Sequence, residues 1–170
     1  MSGRQFFKFL LILGLAFSGC FGLLSISGGA AATVFDEILT AFLPVAMLIA
    51  AMSAAMFTYL DNIAKEVTEL RNEVRKTAYL VAQQKLSDLK KEVLYNGGFI
   101  VCLFLFERSI KGISIYLLAH LPAEQATLIT YTSTSFRVAF FTASVWAAAV
   151  QLKGFLVAVE LRDVIANNRK

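Results

Sequence analysis

The chain alternates long apolar blocks with polar segments, and four of the blocks reach the about 20 mostly apolar residues that a bilayer crossing requires. They cover residues 5–27, 34–60, 98–121 and 136–161. Residues 61–96, between the second and third blocks, have helical apolar spacing but many charges. The pattern predicts an all-α polytopic membrane protein, one membrane domain over residues 1–170. It would have four transmembrane helices and a cytoplasmic, coiled-coil-like helical extension between helices 2 and 3.

The apolar run of the first block starts at about Phe9, after Arg4 and Lys8, an arrangement that transmembrane helices share with signal peptides. Residues 17–20, Phe-Ser-Gly-Cys, also resemble a bacterial lipoprotein cleavage box, so lipidation of Cys20 stays open as an alternative. Because the apolar run continues past Cys20 to Leu24, we favour an uncleaved first transmembrane helix.

Small side chains recur at every fourth position in the first two predicted helices. Such stripes allow the backbones of neighbouring helices to approach closely within a membrane. The residues that we assign to helix packing on this basis are Gly14, Ser18, Gly22, Ala46, Ala50 and Ala54.

Capping and turn residues set the predicted helix ends. Thr33 and Asp36 have the spacing of a capping box, which starts helix 2 near residue 34. Pro44 is expected to kink that helix because it has no backbone N–H to donate. Residues 96–98, Asn-Gly-Gly, predict a helix stop before helix 3, and the hydroxyl-rich residues 127–135 predict an interfacial loop before helix 4.

Residues 61–96 are rich in helix formers and carry apolar residues at spacings of three and four. The spacing changes phase after Val81, so we predict a bend between Tyr79 and Gln84 that returns the chain to the membrane. The apolar seam consists of Leu60, Ile63, Val67, Leu70, Val74 and Val81, followed by Leu86, Leu89 and Val93.

Basic residues are concentrated on one side of the predicted membrane. They are Arg4, Lys8, Lys65, Arg71, Arg75, Lys76, Lys85, Lys90, Lys91, Arg162, Arg169 and Lys170. The other side has Arg137 near a helix end. Because Lys and Arg accumulate in cytoplasmic loops, we expect both termini and residues 61–96 to be cytoplasmic. The small size and this charge bias favour a bacterial inner membrane.

Composition supports a membrane protein and excludes several other classes. Of the 170 residues, 58% are hydrophobic, against roughly 45–50% apolar residues in soluble domains. One histidine and two cysteines in apolar blocks provide no metal-ligand motif, so we expect neither a metal nor a cofactor. No nucleophile is paired with a base, which argues against an enzyme. The net charge is only +4, and the basic residues of segment 61–96 are balanced by acidic residues of the same segment, which argues against nucleic-acid binding.

Charges within the predicted membrane segments are the candidate functional residues. Glu107, Arg108 and Lys111 lie near the middle of helix 3, and Gln151 and Lys153 lie in helix 4. Charges at this depth are retained when they face protein or water. We expect Glu107 to pair with Lys111, one turn away, or with Lys153. Positive charge would then remain in excess. The cluster is therefore a structural ion-pair network, the lining of an aqueous path, or a site for a lipid phosphate or other acidic ligand.

Two functions follow from this interpretation. The first is a homo-oligomer in the lipid bilayer that forms a pore or channel-like assembly, lined or braced by these charges. The alternative is a non-conducting anchor or assembly subunit that recruits a soluble cytoplasmic protein through its helical extension. A transporter or membrane enzyme would need a motif that the sequence lacks.

Overall fold

The computed structural model describes residues 3–69 and 76–167, and the regular structure within these ranges is entirely α-helical. The helices are α1 (Gly3–Ile26), α2 (Ala32–Thr40), α3 (Phe42–Glu69), α4 (Lys76–Leu118) and α5 (Ala123–Asn167). Helices α2 and α3 together replace the predicted helix 2. The predicted all-α class and the order of four helical stretches are therefore confirmed.

Within the described residues, three helical stretches combine the length and the apolar composition needed to cross a membrane: Phe7–Ile26, Ala32–Lys65 and Gln125–Glu160. They contain most of the predicted helices 1, 2 and 4. Residues 98–121, the predicted helix 3, lie almost wholly within α4 but are not among these three stretches. The helices are thus compatible with membrane association, and the span at 98–121 stays a prediction.

The described residues divide into two compact units. The first unit comprises the described parts of Met1–Met47 and Ile100–Trp146, and the second those of Leu48–Phe99 and Ala147–Lys170. Helices α3, α4 and α5 each contribute one part to each unit.

Aromatic side chains form much of the interior of the first unit. Phe42, at the start of α3, is fully buried, with its ring centroid 5.6 Å from that of Phe104 on α4 and 5.3 Å from that of Phe141 on α5. Phe17 on α1 packs against Phe136 on α5 at 4.6 Å. Aromatic pairs at these distances stabilise a fold beyond the area that they bury. They connect α1 with α5, and α3 with α4 and α5, within the first unit.

The second unit is built around a smaller apolar core from α3, α4 and α5. Its buried members are Met56, Leu60, Ile63, Leu86, Val93 and Ala158. Both halves of the predicted seam therefore contribute to one core. Val81, by contrast, is 55% exposed and does not belong to the seam. Val67, Leu70 and Val74 lie outside the described side chains, so the coiled-coil prediction is not confirmed.

Helix α4 is continuous from Lys76 to Leu118, so the predicted bend at 79–84 and the predicted stop at 96–98 are wrong. The connection between α3 and α4 falls in residues 70–75, outside the described residues. A glycine inside a helix costs about 1 kcal/mol relative to alanine, which tertiary packing can offset. A Cβ on Gly97 would lie 3.3 Å from both the Cβ and the Oγ of Ser53 on α3. Gly97 therefore permits close packing of two helices instead of ending one.

The start of the predicted helix 2 differs from the expected capping box. Helix α2 begins at Ala32 with Ala31 as its N-cap, and no side chain caps it. The Thr33 hydroxyl instead donates to the carbonyl of Ala30 at 3.2 Å. The predicted kink is present as a break at residue 41, between α2 and α3. Pro44 explains it, because proline cannot donate to the carbonyl four residues earlier and clashes with it.

The predicted loop at 127–135 is also wrong, since these residues form part of α5. Their hydroxyl groups are satisfied by the helix itself: Thr130 donates to the carbonyl of Ala126 at 2.9 Å, and Ser135 to that of Tyr131 at 2.7 Å. Hydroxyl side chains can bond back to the preceding turn in this way without leaving the helix.

Candidate functional site

Four charged side chains come together in the first unit: Asp36 on α2, Glu107 and Arg108 on α4, and Arg137 on α5. Glu107 follows Ile100 and Leu103 by seven and four residues, which places it on the buried face of α4. The sequence spacing that buries the apolar residues therefore buries the carboxylate with them.

Arg137 links two carboxylates. Its Nε donates to Glu107 Oε1 at 2.7 Å, and its Nη1 donates to Asp36 Oδ1 at 2.9 Å. The Arg137 side chain is 7% exposed and that of Glu107 is fully buried, whereas Asp36 is 59% exposed. One guanidinium thus joins α2, α4 and α5 through charge-assisted hydrogen bonds, which are stronger than neutral ones.

Arg108 completes the cluster from the other side of Glu107. Its Nε lies 3.3 Å from Glu107 Oε2, and its guanidinium carbon lies 5.3 Å from the centroid of the Phe104 ring. Glu107 Oε2 is buried and has no hydrogen-bond partner, so this contact is an ion pair only. Two carboxylates and two guanidinium groups cancel in charge. Such compensation is what burial of ionised groups requires.

The predicted Glu107–Lys111 pair is wrong. The Glu107 carboxylate contacts Arg137 and Arg108, and Lys111 is not within ion-pair distance of it. The alternative pair with Lys153, a residue of the second unit, stays a prediction. Lys111 is half-buried and has no carboxylate within 4 Å among the described side chains. Lys153 is exposed and likewise has no acidic partner among the described side chains of the second unit. Neither lysine is therefore paired with a described carboxylate of its own unit.

Gln151 is the buried polar residue of α5 in the second unit. Its Nε2 donates to Ser53 Oγ at 2.8 Å, and Ser53 Oγ donates to the carbonyl of Ile49 at 2.8 Å. Gln151 Oε1 is buried and has no hydrogen-bond partner. The amide therefore ties α5 to α3 and leaves one acceptor unsatisfied.

Asp36 and Arg137 belong to the charge cluster but were not predicted as site residues. The sequence pattern places Asp36 in a helix cap and Arg137 at the end of a helix after a loop. The loop does not exist, so Arg137 lies well inside α5, at its fifteenth residue. An arginine among Phe, Val and Ala, with few other charges nearby in the sequence, was the signal that could have identified it.

The small-residue stripes differ in how this chain uses them. A Cβ added at Gly14 or at Gly22 would have no other atom within 4 Å, and Ser18 is exposed. Ala46 is buried, Ala50 is half-buried and Ala54 is exposed. The α1 stripe thus makes no close helix contact within the described chain, and its assignment to helix packing stays a prediction.

One exposed face of α4 combines charge with apolar area. Arg108, Lys111 and Ile115 follow each other at spacings of three and four, so they lie on the same side of the helix. The Arg108 side chain is 38% exposed and Ile115 is 60% exposed. We call Arg108, Lys111 and Ile115 the α4 charged face.

Among the described side chains, no three His, Cys, Asp or Glu residues lie close enough together to hold a metal ion. The carboxylates of the cluster are already bound to guanidinium groups. No family model, no curated protein and no solved structure matches this chain.

Proposed function

We propose that this protein is an integral membrane protein whose copies assemble into a pore or channel-like homo-oligomer. In this proposal α4 provides a fourth membrane span over residues 98–121, and both termini and residues 61–96 are cytoplasmic, as the distribution of Lys and Arg favours. A bacterial inner membrane is the membrane that best fits the size and charge bias of the chain.

The α4 charged face is the observation that carries this proposal. A charge facing lipid near the bilayer centre costs at least about 2.5–3.5 kcal/mol by insertion scales. Glu107 and Arg137 avoid this cost by burial against each other, but Arg108 and Lys111 are only partly covered within the chain. A second copy or enclosed water would cover them. A pore lined by such cations would favour anions.

Reconstitution into liposomes tests conduction. We expect purified protein to pass chloride faster than potassium, and Lys111→Ala to reduce the chloride preference. Lys153→Ala tests the exposed cation of α5 in the same way. Lys85→Ala is the matched control, because Lys85 is exposed on the same helix but lies in the charged segment before residue 98. If correctly folded protein forms oligomers but passes no ions, the proposal that it conducts is overturned.

A non-conducting anchor or assembly subunit is the second candidate. The charge balance of Asp36, Glu107, Arg108 and Arg137 favours it, because a neutral cluster braces helices without needing water. The exposed residues Lys85, Asp88 and Glu92 on α4 would then face a soluble cytoplasmic protein. Oligomers without ion flux, together with a phenotype lost on charge reversal at Lys85 and Asp88, would support the anchor over the pore.

A further inference from the structure

A groove in the second unit has an apolar end and a basic end. It lies between α3 and α4 and has a volume of about 330 Å³. Phe57 on α3 and Leu94 on α4 form the apolar end. The remainder, which we call the basic end, is lined by Lys90 and Lys91 of α4 together with Ala64, Gln83 and Ser87. Phe57 is 38% exposed and Leu94 is 65% exposed, so the described chain covers this apolar surface only in part.

The basic end carries more positive charge than its acids neutralise. Lys90 forms an ion pair with Asp61, and its Nζ lies 4.9 Å from the centroid of the Phe57 ring. Lys65 Nζ lies 3.0 Å from the other oxygen of Asp61. Lys91 is exposed and has no carboxylate within 4 Å among the described side chains. Among the described side chains, these three ammonium groups have one carboxylate within ion-pair distance, that of Asp61, so positive charge exceeds negative charge among them.

The groove lies at the end of a membrane-length helix. The apolar stretch Ala32–Lys65 ends beside it, and the contacts Ser53–Gly97 and Asp61–Lys90 show that α3 and α4 run antiparallel in this unit. Phe57 and Leu94 therefore lie further into the apolar stretch, and Lys90 and Lys91 lie nearer the end of that stretch at Lys65. This is the order of hydrocarbon and headgroup in one leaflet of a bilayer.

We propose that the groove binds an anionic glycerophospholipid. The phosphate lies at Lys91 and Lys90, and an acyl chain packs against Phe57 and Leu94. Basic pockets between helices at the cytoplasmic face suit anionic lipid headgroups, and the exposed apolar end adds a requirement for a chain. The inference depends on membrane insertion but not on conduction, so it survives if the oligomer passes no ions.

The test measures lipid bound to the purified full chain in detergent by native mass spectrometry. The probes are dioleoyl phosphatidylglycerol and dioleoyl phosphatidylcholine. Wild-type protein is expected to retain the anionic lipid preferentially. Lys91→Gln should weaken that retention about fivefold, the effect of one basic charge near a membrane surface. Lys85→Gln is the matched control, since it removes the same charge from the same helix outside the groove.

A second pair of variants tests the groove without changing charge. Ser87 lines the groove and is exposed, so Ser87→Trp should fill it and reduce retention, whereas Gln84→Trp, also exposed but outside the groove, should not. Equal retention of the two lipids, or equal losses in the variants and their controls, would overturn the proposal. Displacement of the lipid by inorganic phosphate at equal concentration would also overturn the proposal, because the acyl chain would then contribute nothing to binding.

Discussion

Arg137 donates from Nε to Glu107 Oε1 at 2.7 Å, and this bond joins two buried side chains that are thirty residues apart in the sequence. The same guanidinium reaches Asp36 on α2. Three helices of the first unit thus depend on one cation. A residue with this position is expected to control stability more strongly than any exposed charge of the chain.

Replacement of Arg137 tests this dependence. Arg137→Leu leaves Glu107 buried beside Arg108 alone and should lower the free energy of unfolding by about 3–5 kcal/mol. Unfolding in mixed micelles with increasing dodecyl sulfate, followed by circular dichroism, measures the loss. Glu92→Leu, which removes an exposed acid from α4, is the control and should change stability little.

The double variant Glu107→Leu/Arg137→Leu distinguishes the contribution of the ion pair to stability from the cost of leaving one of its members buried alone. Because well-packed apolar side chains often replace a buried ion pair without loss, the double variant should recover most of the stability that Arg137→Leu loses. Losses that simply add would show that the two side chains act independently.

Asp36→Asn should cost about 1 kcal/mol or less, since Asp36 is mostly exposed.

Two adjacent glycines test whether α4 is continuous. Gly98 has no atom within 4 Å of a Cβ position, so Gly98→Ala should stabilise a continuous helix by about 0.5–1 kcal/mol. Gly97→Ala should gain less or lose stability, because its Cβ meets Ser53 at 3.3 Å. Thermal unfolding of both variants in detergent compares them. Strong destabilisation by Gly98→Ala would instead indicate a helix end at this position.

Removing either partner of the Gln151–Ser53 hydrogen bond should change the free energy of unfolding by a different amount. Ser53→Ala leaves Gln151 Nε2 with only the Met56 sulfur, 3.5 Å away, and should cost about 1–3 kcal/mol. Gln151→Leu removes the unsatisfied Oε1 as well and should be close to neutral. The same unfolding titration measures both. If Gln151→Leu is the more damaging of the two, the amide has a role that its contacts here do not explain.

The apolar blocks predicted the helices well because hydrophobic length and spacing are local properties of the sequence. The predicted interruptions failed for a physical reason. Gly97 is needed for contact with Ser53, and the hydroxyl groups of Thr130 and Ser135 bond within their own helix. Packing and back-bonding thus override turn propensities whose cost is small.

The charge cluster could be predicted only in part. The sequence shows that Glu107 needs a cation, but its choice of partner depends on which helices are neighbours. A loop at 127–135 would place Arg137 at a helix end, away from the depth of Glu107, so the sequence predicts Lys111 and Lys153 as partners instead. Spacing along one helix identifies pairs such as Glu107 and Lys111, whereas a contact across helices requires the tertiary structure.

We propose that α4 lies in the bilayer with its charged face covered by another copy or by enclosed water. Ile113 and Ile115 offer a matched comparison, because they are 58% and 60% exposed in the single chain and only Ile115 belongs to the α4 charged face. Spin labels at each position, with Cys20 and Cys102 replaced by alanine, report collisions with oxygen and with a water-soluble nickel complex in liposomes. We expect high oxygen and low nickel access at Ile113, and clearly lower oxygen access at Ile115, or nickel access there if water lines the face. Equal, oxygen-rich access at both positions, or nickel access at Ile113, would contradict the claim.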